Sequence, residues 1–291
     1  MSEPIAARAQ RSAEGTALTV GTDRTSGREF AYSPADFERI RVLIHDHAGI
    51  VLSPAKQDMV YGRLARRLRA RGLATFSTYV DLVLRDRGEW EAFVNALTTN
   101  LTAFFREAHH FQILAERMRA SGANRFSIWC CAASTGEEPY SLAITACETF
   151  ASLQPPVSIL ATDLNTSVLE EARSGIYPAE RLSGLTAAQL QKYFVESGNS
   201  GARRIRPELQ RLITFGRLNL LEPMWSARGP FDAIFCRNVM IYFDKATQFA
   251  ILKRFAPLLR PDGVLVAGHS ESFAHASELF RPLGRTVYAR A

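Results

Sequence analysis

The stretch Phe126-Ser127-Ile128-Trp129-Cys130-Cys131-Ala132-Ala133-Ser134-Thr135-Gly136-Glu137-Glu138 decides how this chain folds. It begins as a short apolar run of strand length. It then passes through small residues, and two acids open a segment, Glu137 to Phe150, with helical patterning. A strand that turns through small residues into a helix lets a ligand approach the backbone closely, and the helix N-terminus favours a carboxylate or phosphate. The turn lacks the Gly-Lys-Ser/Thr of a phosphate-binding loop. A dinucleotide fingerprint needs three glycines, and only Gly136 is present. A nucleoside ligand without a pyrophosphate suits the turn, and S-adenosylmethionine is such a ligand.

Downstream, strand and helix continue to alternate. Val157 to Asp163 reads as a second strand before the helical Ser167 to Arg173. Phe231 to Cys236 and Val264 to Ala267 add two more, with a helix between them. The pattern predicts an α/β, Rossmann-like domain with a mostly parallel sheet covered by helices. Asp163 closes its strand a little over ~20 residues past the turn, where an acid pairs with ribose hydroxyls; its alternative role is to cap the next helix. Glu137 and Glu138 both suit a helix N-terminus, and one of them is expected to meet a ligand ammonium. Glu138 is favoured, although spacing does not separate the two. The interval 177–217, with a helix at Thr186 to Phe194 and a glycine-bearing turn at Gly198 to Gly201, predicts a small inserted β-subdomain.

Upstream, the grammar is helical. Ser33-Pro34-Ala35-Asp36 and Ser53-Pro54 are helix starts, Gly49 and Gly72 are stops, and Thr75-Phe76-Ser77 opens a third helix. A fourth is expected over Glu89 to Thr98. The expected organisation is a flexible leader over 1–32, a helical domain over 33–105 and the α/β domain over 106–291. The leader lacks the apolar stretch of a secretory signal, and no run approaches the ~18 apolar residues of a membrane span. Cys130, Cys131, Cys147 and Cys236 fit no zinc pattern, and no metal site is expected. These features predict a cytoplasmic protein with reduced, packed thiols. The net charge of +6 points to an acidic partner without saying which.

Four blocks resemble the CheR family of chemotaxis receptor methyltransferases: Thr99 to Glu107 (TNLTAFFRE), Ala133 to Ser141 (ASTGEEPYS), Cys236 to Phe243 (CRNVMIYF) and Gly268 to Ser272 (GHSES). The resemblance runs from about Ser33 to the C-terminus. It implies a helical N-terminal domain that faces the receptor, joined to a methyltransferase domain carrying a small β-subdomain. It also implies transfer of a methyl group from S-adenosylmethionine to receptor glutamates, with S-adenosylhomocysteine as product. Matched residue by residue, the family's cofactor contacts fall on Asn100, Thr102, Arg106, Glu138, Asp163, Asn219, Leu220, Arg237 and Asn238.

A glutamate carboxylate has a pKa near 4.3, so it is ionised at neutral pH and needs no general base. Such a site has to supply alignment and close approach. Arg106 is a candidate to hold a carboxylate with its planar fork. Tyr242, six residues past Cys236, is a candidate to line the methyl-transfer channel. His109 and His110 read as a helix terminus and packing, because adjacent helical residues point apart.

Arg63, Arg66, Arg67, Arg69 and Arg71 lie in a stretch, Met59 to Val80, with no acidic residue. At helical spacing Arg63, Arg67 and Arg71 share a face, while Leu64 and Leu68 turn inward. This density of arginine favours an acidic partner over a merely solvated face, and the resemblance implies which one: Arg63, Arg66, Arg67 and Arg71 are expected to steer a monomeric enzyme onto the acidic methylation helices of the receptor. In some relatives the inserted subdomain docks a receptor's C-terminal peptide; here its turn is short, and a tether is an open possibility. A nucleic-acid methyltransferase is disfavoured, because Arg237-Asn238-Val239-Met240-Ile241-Tyr242 lacks the Asn/Asp-Pro-Pro-aromatic motif of base-modifying enzymes. Nucleic acid is not an expected partner, nor is insertion into a membrane. A non-catalytic sensor of the cofactor is the other alternative.

Overall fold

The computed structural model describes residues 28–122, 125–198 and 201–291. Of the leader expected over 1–32, residues 1–27 lie outside the described residues, while 28–32 are packed. Tyr32 is buried with its ring 4.5 Å from that of Phe76, Ala31 forms a β-bridge with Thr75, and Arg28 pairs with Asp58. The chain divides into two compact units, the first ending at Thr98 and the second spanning Thr99–Ala291. The expected junction at 105/106 lies inside the second unit. Phe104 is buried there in edge-on contact with Tyr177 and Phe194, and the Phe105 N–H donates to Ser141 Oγ.

In the first unit, helix α1 (Pro34–Ala48) starts at a reciprocal capping box between Ser33 and Asp36 and ends on Gly49, which adopts the left-handed φ of 67°. A short turn at Pro54–Lys56 leads into α2 (Gln57–Arg71), which stops on Gly72. Thr75 caps α3 (Phe76–Val83), and Asp86 caps α4 (Arg87–Leu97). Ile40, Ile44, Val60, Leu64, Leu68, Phe76 and Phe93 are fully buried, so the apolar stripes meet in one core. Burial of each such side chain contributes roughly 1.5–3 kcal/mol.

The arginine face of α2 is not the uncompensated surface its local sequence predicts. Arg67 forks onto Glu89 through Nε–Oε1 and Nη2–Oε2 contacts of 2.9 and 2.8 Å. Arg71 Nε donates to Glu89 Oε2 at 2.5 Å, and Tyr79 Oη donates to Oε1 at 2.9 Å. The compensating acid comes from α4, outside the acid-free stretch, and its side chain is fully buried. Arg63 caps the carboxyl end of α4 through the carbonyls of Leu97 and Thr98, and Arg69 pairs with Glu29. Arg66 remains exposed.

In the second unit, α5 (His109–Ser121) precedes strand β1 (Phe126–Cys130). There follow α6 (Glu137–Thr149), β2 (Val157–Asp163), α7 (Thr166–Ser174) and β3 (Ile176–Tyr177). Next come α8 (Ala187–Tyr193), β4 (Phe194–Glu196), β5 (Arg203–Ile205), α9 (Pro207–Gln210) and β6 (Ile213–Arg217). The chain closes with β7 (Phe231–Cys236), α10 (Lys245–Phe255), β8 (Leu259–Ala267), β9 (Phe280–Gly284) and β10 (Val287–Arg290). The main sheet has the order β6-β2-β1-β7-β8-β10-β9. Its first five strands run parallel, and β10 enters antiparallel to β8. Alternation along β1 feeds both faces: Ile128 and Cys130 join one apolar cluster, Trp129 and Cys131 the other.

The insert is a separate antiparallel sheet, β3-β5-β4. It is shorter than the expected 177–217, because Ile213–Arg217 pairs in parallel with Ile159–Asp163 as the edge of the main sheet. All four cysteines are free and buried. Among the described residues no helix is long and apolar enough to cross a membrane, and no cluster of side chains suits a metal ion.

Candidate functional site

From β1 the chain moves outward through β2 to β6, then returns to β7 on the other side of β1. Loops leaving the carboxyl ends of β1 and β7 therefore diverge, and a crevice opens at this reversal of strand order. The decisive turn sits there. Ser134 and Gly136 take left-handed φ angles of 49° and 99°. A Cβ at position 136 would lie 2.6 Å from the Tyr177 hydroxyl and 2.9 Å from Ala172 Cβ, so this position requires glycine.

Asp163, at the end of β2, is bound to that turn. Its Oδ2 accepts the Ser134 N–H at 2.8 Å and its Oδ1 accepts the Asn165 N–H at 2.9 Å. Helix α7 is capped by Asn165, whose side chain accepts from Val168 N–H. Asp163 is thus free of the capping role, and each oxygen keeps acceptor capacity for a ligand. Burial raises its pKa, while the backbone N–H groups of Asn165, Ser134 and Leu164 act in the opposite direction. Leu218 N–H donates to the Asp163 carbonyl at 3.0 Å, which brings the buried Asn219 and Leu220 to the same strand end.

The two glutamates that spacing leaves equivalent are separated by their partners. Glu137 accepts from Thr135 Oγ1 at 2.7 Å and from Arg181 Nε at 2.9 Å, which commits it to the insert. Glu138 sits at the switch point, accepting from Arg237 Nη1 at 2.5 Å and from Cys130 Sγ at 3.4 Å. Arg237 follows β7, and its side chain is fully buried. It also meets Glu107 Oε2 at 3.2 Å and donates to the Arg106 carbonyl at 2.6 Å. Its Nε is buried without a hydrogen-bond partner. Burial pushes the guanidinium pKa down, but Glu138 and Glu107 overcome this and raise it.

The 100–107 loop is bonded to the same turn. Its Asn100 carbonyl accepts from Ser134 Oγ at 3.0 Å, and Arg106 Nη1 donates to the Leu101 carbonyl at 2.9 Å. The Arg106 side chain keeps about a third of its surface exposed (35%), in contrast to Arg237. Thr102 is half-buried on the same loop. Phe105, Glu107, Ser134 and Asn238 all have positive φ without being glycine, so backbone strain concentrates where these loops meet. Tyr242 is half-buried in the turn Met240–Tyr242 after β7, between exposed Ile241 and buried Phe243.

Several supporting residues escape a reading of the sequence. Glu107 joins Arg237 to Asn238, accepting from Asn238 Nδ2 at 3.5 Å. Buried Glu271 accepts backbone N–H bonds from Gly268, Asn238, Val239 and Met240, which pins the loop after β7. His110, expected simply to pack, is buried with Nε2 2.9 Å from the Arg285 carbonyl and Nδ1 3.6 Å from Glu107 Oε2. Burial lowers its pKa to about 4, so it is neutral in this environment. The signal for Glu107 and Glu271 was their place inside the quoted blocks; nothing local marked Arg181.

Around this point lie carboxylates at Asp163 and Glu138, the partly exposed guanidinium of Arg106 and the amide of Asn238, with Arg237 and Asn219 buried among them. A ligand with an ammonium, a carboxylate, a sugar diol and a base edge needs this donor and acceptor set, and the residues fit S-adenosylmethionine. A family model described as "CheR methyltransferase, SAM binding domain" matches residues 100–289, and one described as "CheR methyltransferase, all-alpha domain" matches residues 35–98. The chain is 53% identical over 263 residues to a chemotaxis protein methyltransferase of Escherichia coli K12, covering 89% of this chain and 92% of the relative. It is 50% identical over 268 residues to chemotaxis protein methyltransferase 2 of Pseudomonas aeruginosa, covering 91% and 96%. The chain belongs to the CheR methyltransferase family, with an all-alpha domain followed by an S-adenosylmethionine-binding methyltransferase domain.

Proposed function

We propose that this methyltransferase esterifies glutamate side chains on the cytoplasmic methylation helices of chemotaxis receptors, leaving S-adenosylhomocysteine. The observation that carries this reading is the contrast between two arginines on one loop junction. Arg237 is buried and closely paired with two acids, whereas Arg106 stands partly exposed, tied to the Leu101 carbonyl and only loosely to Glu107 at 4.0 Å. A guanidinium so held is suited to receive a carboxylate.

When bound, the cofactor supplies a methyl carbon on a sulfonium, open to in-line displacement. The protein's task is to bind and orient. Glu138, held by Arg237, accepts from the ammonium, and Asp163, held by two backbone N–H groups, accepts from the ribose hydroxyls. Asn219 and Leu220 line the adenine edge. Asn100, Thr102, Arg237 and Asn238 complete the cofactor shell. Arg106 holds a carboxylate, and Tyr242 lines the channel through which the acceptor oxygen approaches. A receptor glutamate arrives ionised, so alignment supplies most of the acceleration.

The helical unit faces the receptor in this reading, with exposed Arg66 as the steering charge. Arg63, Arg67 and Arg71 contribute a positive rim whose charge is partly offset by Glu89. The enzyme acts as a cytoplasmic monomer, and a receptor tail peptide is a candidate occupant of the β3-β5-β4 sheet. Incubation with methyl-labelled cofactor and a receptor cytoplasmic fragment tests the reading: the label should enter the receptor and leave as methanol in mild base. Base-stable label, or none, would overturn it.

A further inference from the structure

The insert reaches the cofactor turn through two side chains, Arg181 and Tyr177. Arg181, in the short turn Ala179–Leu182, donates from Nε to Glu137 Oε1 at 2.9 Å and from Nη2 to Thr135 Oγ1 at 2.5 Å. Its Nη1 pairs with Glu171 on α7. From the adjacent strand, Tyr177 Oη donates to the Thr135 carbonyl at 2.8 Å, and the Arg181 guanidinium lies 5.1 Å from the Tyr177 ring centroid. The same insert also abuts the 100–107 loop, because a Cβ on Gly184 would meet the Phe104 carbonyl oxygen at 2.3 Å.

Glu137 makes the contact consequential. Its side chain is 1% exposed, and Arg181 is the cation paired with it. A buried carboxylate that loses its cation must take up a proton, move toward water or pull its backbone along, and any of these disturbs the N-terminus of α6. Glu138 is the next residue on that helix end, and Ser134, bound to Asp163, is three residues before Glu137. Both carboxylates assigned to the cofactor thus depend on a turn that Arg181 holds.

We propose that Arg181 is a positioning residue for the cofactor, acting through Glu137 and Thr135, so that the insert is part of the cofactor site's construction. The proposal rests on the assignment of Glu138 and Asp163 to the cofactor. It requires that the penalty for losing Arg181 be the unpaired Glu137, and a pair of variants exposes this.

The test is calorimetric titration of S-adenosylhomocysteine into the full-length protein and its variants, with far-ultraviolet circular dichroism as a check on folding. Arg181→Met should weaken binding roughly tenfold or more and raise KM for S-adenosylmethionine more than it lowers kcat. Adding Glu137→Gln to Arg181→Met removes the stranded charge and should restore at least half of the lost affinity on a logarithmic scale. Glu171→Gln, which removes only the outer partner, should change the affinity by less than about threefold. Wild-type affinity in folded Arg181→Met would overturn the proposal, and so would a double variant no better than Arg181→Met alone. Should Arg181→Met not fold, the same proposal requires Arg181→Lys to fold and bind with intermediate affinity; full affinity there would overturn it. Failure of the wild-type protein to bind at all would instead count against the cofactor assignment.

Discussion

Arg237 and Glu138 meet at 2.5 Å across the point where the strand order reverses, one following β7 and the other opening the helix after β1. Neither residue is close to the other in sequence, and the contact joins the two loops that form the crevice. Because the Arg237 side chain is fully buried, the cost of burying its charge is met by Glu138 and Glu107.

Removal of that guanidinium therefore affects both stability and binding. Arg237→Met is expected to lower the unfolding free energy by roughly 3 kcal/mol and to abolish measurable S-adenosylhomocysteine binding, since it strands Glu138 and Glu107 together. Urea denaturation alongside titration calorimetry checks both outcomes. A variant as stable as wild type that still bound the product would show that the pair is ornamental.

Arg106 gives the opposite pattern. Its side chain is partly exposed, with one hydrogen bond to the Leu101 carbonyl and Glu107 at the 4.0 Å edge of ion pairing, so Arg106→Ala should cost under about 1 kcal/mol of stability while cutting methyl transfer by 100-fold or more. Near-normal turnover by the folded variant would remove Arg106 from the mechanism.

The local grammar of this fold was legible in the sequence, and the long-range pairings were not. Ser33, Thr75, Gly49 and Gly72 act within a few residues of their own positions, so spacing alone exposed these helix ends; Gly136 was legible as a turn, but not the close approach of Tyr177 and Ala172 that requires it. Asp163 was legible as a strand-end acid, but Asn165 had to be seen capping α7 before the capping alternative fell away. The arginine face of α2 misled because its counter-charge, Glu89, lies on another helix. Glu271 lay inside a quoted block, but its role was hidden for a different reason: its partners are backbone N–H groups, which carry no sequence signature. Glu137 and Glu138 differ only in which way the helix turns them.

Glu89 makes a pH prediction. Burial raises its pKa, but bonds from Arg67, Arg71 and Tyr79 outweigh that and hold it below its ordinary value. A carboxylate whose pKa is depressed by folding stabilises the protein above its unfolded pKa of roughly 4.3, and that stability fades as pH falls through the lower folded value. Glu89→Gln should lower stability at pH 7 by about 2 kcal/mol and flatten the loss of stability as pH falls from neutrality through and below the ordinary carboxylate pKa. Thermal melts across that range compare the two slopes.

Receptor steering by the helical unit predicts a salt effect confined to association. Raising the ionic strength from roughly 50 to 300 mM should lower kcat/KM for receptor several-fold while leaving kcat nearly constant. Arg66→Glu should reduce the low-salt rate more than Arg67→Ala, because Arg67 already forks onto Glu89. Initial rates on intact receptor, taken as a salt series, measure this directly. A flat series would remove steering from the account.

The most direct test of the site itself is titration calorimetry of S-adenosylhomocysteine into wild-type protein and Asp163→Ala. The structure predicts one binding event per chain for wild type and a loss of affinity of at least about 30-fold for the variant, with the sheet still folded. Absence of binding by wild type, or equal affinity in both proteins, would contradict the placement of the cofactor between the Gly136 turn and the acid at the end of β2.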